Sequence, residues 1–148
     1  MVQYNSIRNK IYSVEFERWK NLLNIYSPYS LFKAIYYIET ASLFLFLTQK
    51  IIKSPNLVTM LYIFCGLFGA LLIILNPNNH LLFLGIFMVF TRGTFDWADG
   101  PLARRLNKTS FLGHALDEYG AHVCDASFRI AFIFYTLNFY QDYMLFFP

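Results

Sequence analysis

Charge is what this chain has least of. Asp, Glu, Lys and Arg make up only 14% of its 148 residues, where soluble proteins carry about 25%. Hydrophobic residues reach 57% and aromatic residues 20%, so an ordinary soluble surface is excluded and a membrane protein of at most one ordinary domain is the first reading. The formal net charge is +3, with Lys and Arg scattered among loops, which argues against a nucleic-acid footprint. Cysteine is also scarce. Cys65 and Cys124 stand far apart, with no CxxC and no His at metal spacing, which leaves them as small packing residues rather than zinc or redox groups. No secretory leader is visible, because residues 1–30 lack an apolar core and are broken by Arg8, Lys10, Glu15, Glu17, Arg18 and Lys20; insertion is expected to rely on an internal span.

The apolar residues that are present fall into stretches. Residues 1–28 mix charge with Tyr4, Tyr12, Phe16, Trp19 and Tyr26, a composition that suits either a segment at headgroup level or a loosely ordered tail. Residues 31–49 fall short of the roughly 20 mainly apolar residues of a span, since Lys33 and Glu39 interrupt them, and read as an interfacial amphipathic helix. After the breaker Ser54-Pro55-Asn56, Leu57 to Leu75 runs without a charge and is the clearest transmembrane helix. Gly66 and Gly69 on it are either a helix contact face or an accident of spacing. A turn at residues 76–80 leads to a second span from Leu81, expected to continue through Asp96 and Asp99 and to stop at Gly100-Pro101. A third helix, about residues 111–139, has a polar first half containing His114, Asp117, Glu118, His122, Asp125 and Arg129; that half is expected to line a cavity, with Asp125 and Arg129 paired at i, i+4. The fold class is therefore all-α, a polytopic transmembrane bundle preceded by an interfacial amphipathic helix, with a juxtamembrane segment at 1–53 and a transmembrane domain at 54–148. Placing the 76–80 turn outside puts the basic loops near Lys50 and Arg104 on the cytoplasmic side. The apolar opening at 143–148 suggests that a further segment follows.

Three carboxylates sit where lipid-facing sequence ordinarily excludes charge. Asp96 and Asp99 share a helix face and would repel each other unless a cation intervened. Hard oxygen ligands favour Mg²⁺, Mn²⁺ or Ca²⁺ over zinc, and Asp117 offers a third carboxylate if its helix packs nearby; solvated helix ends are the plainer explanation. Gly100 lets a bulky ligand approach the backbone, and Arg104 and Arg105 suit phosphate. Arg105 and Lys108 suit anionic headgroups equally well.

The stretch Asp96 to Asp117 resembles the signature of the CDP-alcohol phosphatidyltransferase family, D-x2-D-G-x2-A-R-x8-G-x3-D-x3-D. Asp96, Asp99, Gly100, Ala103, Arg104, Gly113 and Asp117 fall on seven of its eight fixed positions, and S-P-N-L-V-T at Ser54 to Thr59 resembles the segment that opens the family's first transmembrane helix. The resemblance implies attack of an acceptor alcohol on a CDP-alcohol, commonly CDP-diacylglycerol, with release of CMP in phospholipid synthesis. It implies Mg²⁺ or Mn²⁺ held by Asp96, Asp99 and Asp117, and CDP contacts from Asp96, Gly100, Ala103, Arg104 and Gly113. It further implies an integral membrane protein whose site faces the cytoplasm, lipid bilayer as partner, no nucleic acid, and pairing as a homodimer.

Two departures follow from the same comparison. The eighth position, the family's general base and metal ligand, is Ala121, whose methyl group can do neither job. Glu118, His122 and Asp125 are substitutes by residue type, yet His122 stands about 7.5 Å along and 140° around from Asp117, and Asp125 about 12 Å and 80°, against about 6 Å and 40° for position 121. Family members typically have six transmembrane helices, and this chain supplies about half of them. A catalytically impaired homologue that binds metal and CDP-alcohol without turnover is therefore the alternative, and a cation-handling membrane protein a weaker third.

Overall fold

The computed structural model describes residues 3–16, 28–75 and 79–144, and among these the chain is helical with no strand. A short helix α1, Tyr4–Ile11, runs into a π-helical turn, Tyr12–Phe16. Four long helices follow: α2, Pro28–Thr48; α3, Pro55–Ile74; α4, Asn79–Leu106; and α5, Phe111–Met144. The segments Leu31–Thr48, Pro55–Ile74 and His80–Leu106 are long and apolar enough to cross a bilayer, and the architecture is a helical membrane bundle. Of the 143–148 segment, where a further span was expected to open, residues 143–144 end α5 and residues 145–148 lie outside the described residues.

Helix direction follows from which side chains meet. Thr59 of α3 meets Asp99 of α4 at one end of the bundle, and Gly69 meets Gly85 towards the other, so α3 and α4 are antiparallel. Gly113 of α5 stands beside Asn56, and Cys124 beside Gly66, so α5 runs parallel to α3. Tyr37 and Phe44 of α2 contact Phe90 and Phe95 of α4, making that pair parallel as well. The glycines are contact points, not an accident of spacing. A Cβ on Gly69 would lie 2.8 Å from the Gly85 carbonyl oxygen, and one on Gly66 would lie 2.5 Å from Cys124 Sγ. Small residues here let the backbones approach, as membrane helix packing requires.

Two elements differ from expectation. Residues 31–49 form most of α2, a full-length span by length and composition, because the charge that seemed to interrupt them is answered by a distant segment. Glu39 accepts hydrogen bonds from Tyr4 Oη and Tyr12 Oη, each at 2.9 Å, and from Arg8 Nε at 2.8 Å. The amphipathic element ahead of the bundle is α1, which buries Ile7 and Ile11 against α2 and α4. The second difference is that α4 does not stop at Gly100-Pro101 but continues for another turn. Proline inside a helix removes one hydrogen bond and crowds the preceding turn, at about 3 kcal/mol. Burial of Ala98 and Leu102 in the core shared with Ile7, Ile11, Ile38, Leu45 and Val58 opposes that cost. The helix ends instead at Asn107, left-handed at φ 51°, where the Lys108 N–H donates to the Ala103 carbonyl at 2.9 Å.

Candidate functional site

The carboxylate end of α4 lies directly above that core. Asp96 and Asp99, three residues apart, both turn into a cavity of about 550 Å³ walled by the start of α3, the end of α4 and the start of α5. Asp99 is buried, and its Oδ2 accepts a hydrogen bond from Thr59 Oγ1 at 2.8 Å. Asp117 enters the same cavity from α5. The helix turn carrying Asp117 is fixed by Tyr62, a fully buried residue of α3 whose phenol donates to the Asp117 carbonyl at 3.0 Å.

The remaining walls come from the turn between α4 and α5. Ser110 caps α5: its Oγ accepts from the Gly113 N–H at 3.0 Å, an arrangement that stabilises a helix start by about 1 kcal/mol. Gly113 itself has Asn56 Oδ1 and Ser110 Oγ just beyond where a Cβ would stand, at 3.2 and 3.1 Å. Gly100 leaves room for the Arg104 guanidinium to fold back along the helix face, with Nη1 3.4 Å from the position of a Cβ. Arg104 Nη2 donates to Glu15 Oε1 at 2.5 Å, so the π-helical turn after α1 closes one side of the cavity.

All seven residues singled out for metal or nucleotide contacts, Asp96, Asp99, Gly100, Ala103, Arg104, Gly113 and Asp117, line this one cavity. Ala121, His122 and Asp125 do not. His122 and Glu118 are exposed. Asp125 pairs with Arg92 of α4 rather than with Arg129, because α4 presents a guanidinium across the bundle. Arg92 Nη1 is buried without a hydrogen-bond partner among the described residues. His114, one turn before Asp117, does line the cavity; its i, i+3 spacing to Asp117 was the available signal. Asn56, Thr59 and Glu15 also reach the site, and they come from segments too far away in sequence for local spacing to place.

A family model described as CDP-alcohol phosphatidyltransferase matches residues 52–146, well over half of the chain. The chain belongs to that family. No curated protein and no solved structure gives a match. CDP-alcohol phosphatidyltransferases carry out phosphatidyl transfer from a CDP-alcohol in lipid synthesis, and the family is generally dependent on a divalent metal. Among the described residues no group of three or more His, Cys, Asp or Glu side chains is gathered into a ready coordination sphere. The donor chemistry nevertheless fits a hard cation. Three carboxylates and the hydroxyl of Thr59 are all oxygen ligands, and three carboxylates lining one cavity call for positive charge among them.

Proposed function

We propose that this CDP-alcohol phosphatidyltransferase transfers a phosphatidyl or other substituted phosphoryl group from a CDP-alcohol, with CDP-diacylglycerol the expected donor, to an acceptor alcohol, releasing CMP. The observation that carries this reading is the convergence of all seven signature residues on one cavity. Asp96, Asp99 and Asp117 would hold Mg²⁺ or Mn²⁺, which stabilises charge developing on diphosphate oxygens. Asp96, Gly100, Ala103, Arg104 and Gly113 contact the cytidine diphosphate: Gly100 keeps the helix face clear for Arg104, and Gly113 keeps the start of α5 close to Asn56. The acceptor hydroxyl attacks the phosphorus that carries the lipid, the bond to the bridging oxygen breaks, and CMP leaves with that oxygen. His114 is the imidazole on the cavity wall and takes the hydroxyl proton in place of the carboxylate missing at Ala121. At the cytoplasmic edge of the bilayer, the lipid tail would stay in hydrocarbon while its head reaches the cavity lined by Asp96, Asp99 and Asp117.

The test is CMP release by the purified full chain from CDP-diacylglycerol across a panel of acceptor alcohols, with and without chelator. Release is expected only with Mg²⁺ or Mn²⁺. Asp99→Asn is expected to lower it by about 100-fold or more, since even outer-shell partners of a metal cost roughly 10–100-fold. A folded protein that releases no CMP with any acceptor would defeat the reading.

Ala121 favours a second reading, in which metal and CDP-alcohol bind without turnover. Binding then persists in the absence of CMP release, and Ala121→Asp creates activity. If the protein is already active, Ala121→Asp changes little and His114→Asn abolishes turnover while CMP binding is kept.

A further inference from the structure

A second groove, of about 450 Å³, lies on the other side of the α4 terminus, between α1 and the last turn of α4. Its floor is apolar, formed in part by the buried Ile7 and Ile11 of α1 and Leu45 of α2. Its rim carries three cations, Lys10, Arg104 and Arg105, and among the described residues no Asp or Glu lines it. Arg104 already gives one nitrogen to Glu15, on the side of the first cavity. Lys10 and Arg105 have no ion pair among the described residues, and both are exposed. The two cations therefore face an apolar floor, next to an amphipathic helix, at the end of the bundle that holds the polar site.

From this juxtaposition we propose that the groove between α1 and the end of α4 binds the phosphate headgroup of an anionic membrane lipid, with Lys10 and Arg105 on the phosphate and the first part of an acyl chain over the exposed Val14 beside Ile7, Ile11 and Leu45. Guanidinium and ammonium groups are the natural partners of a phosphate, and juxtamembrane basic residues draw anionic lipid from the leaflet. The apolar floor selects a lipid over a free phosphate, which would leave that surface uncovered. The groove shares only Pro101 and Arg104 with the first cavity, and its occupancy does not depend on whether the protein turns over. Its occupant anchors α1, and with it Glu15, against α4.

The experiment uses the full chain in nanodiscs of phosphatidylcholine with or without phosphatidic acid, extracted into neutral detergent without metal or nucleotide and examined for retained lipid by native mass spectrometry. The wild type is expected to retain phosphatidic acid in preference to phosphatidylcholine. The Lys10→Gln, Arg105→Gln double variant is expected to lose that preference on the order of tenfold or more, from about 1 kcal/mol per basic residue. The charge-conserving Lys10→Arg, Arg105→Lys variant should keep it. A thermal midpoint shared by wild type and both double variants shows that a loss comes from the groove rather than from misfolding. Equal retention of both lipids by the wild type, equal retention of phosphatidic acid by all variants, or complete displacement of it by inorganic phosphate would overturn the assignment.

Discussion

Thr59 and Glu15 show how the site is tuned by side chains outside its signature. Thr59 holds Asp99 by a buried hydrogen bond, so Thr59→Val removes the donor while keeping the shape. The expected result is a metal requirement weakened by about 10-fold, at the low end for outer-shell partners, read as a shift in the Mg²⁺ concentration needed for CMP release or binding. On the proposed reading, Glu15 competes with a nucleotide for the guanidinium it now holds. Glu15 is nearly enclosed, its side chain 12% exposed, but Arg104 is 45% exposed, so their pair belongs near the weak, solvent-screened end of ion pairs, about 0.2–1 kcal/mol. Glu15→Gln should therefore tighten CMP binding by roughly two- to fivefold in equilibrium titration. Weaker binding would mean that Glu15 holds Arg104 in its working position instead.

Among the helices, close packing decides against the usual rule for glycine. Gly→Ala inside a helix ordinarily stabilises by about 1 kcal/mol. At Gly69 a Cβ would meet a backbone oxygen of α4 at 2.8 Å, and backbone cannot turn aside as a flexible side chain can. Gly69→Ala is expected to destabilise the protein by about 1–3 kcal/mol, visible as a lowered thermal midpoint in detergent. The same distinction between local and distant causes explains what could be read from sequence. The α3 span was legible because its apolar run is uninterrupted. So were the seven signature residues that line the cavity, whose spacing along α4 and the start of α5 is a local property. The span in α2 was not, because the partners of Glu39 come from α1 and the turn after it, 27 to 35 residues earlier. The continuation of α4 past Pro101 was hidden as well: the local proline signal is outweighed by burial of Leu102 and Ala98 against α1, α2 and α3. Thr59 and Glu15 were brought to the site only by tertiary placement, whereas His114 stood in the polar half already expected to line a cavity.

For the whole molecule, the antiparallel course of α3 and α4 places the candidate site and the 49–54 loop at one end. Lys108 Nζ donates to the Lys53 carbonyl at 3.1 Å there, while His80 opens α4 at the other. In a background with Cys65 and Cys124 replaced by Ala, single cysteines at Lys53 and at Lys108 should react with an impermeant maleimide from the same side of the membrane, and one at His80 from the opposite side. The proposed orientation puts Lys53 and Lys108 in the cytoplasm. Labelling of Lys53→Cys and Lys108→Cys from opposite sides would contradict the bundle itself.

The unbroken course of α4 through Gly100 and Pro101 has a mechanical consequence. Asp96, Asp99 and Arg104 are carried on a single strut, so the backbone positions of these carboxylate and guanidinium groups keep a fixed pitch. Asp117 rides on a different strut, α5, registered to α3 through Tyr62, and Glu15 on a third. A change in the spacing between the Asp117 backbone and that of Asp96 and Asp99 therefore requires α5 to move, with α4 as the ruler against which it is set.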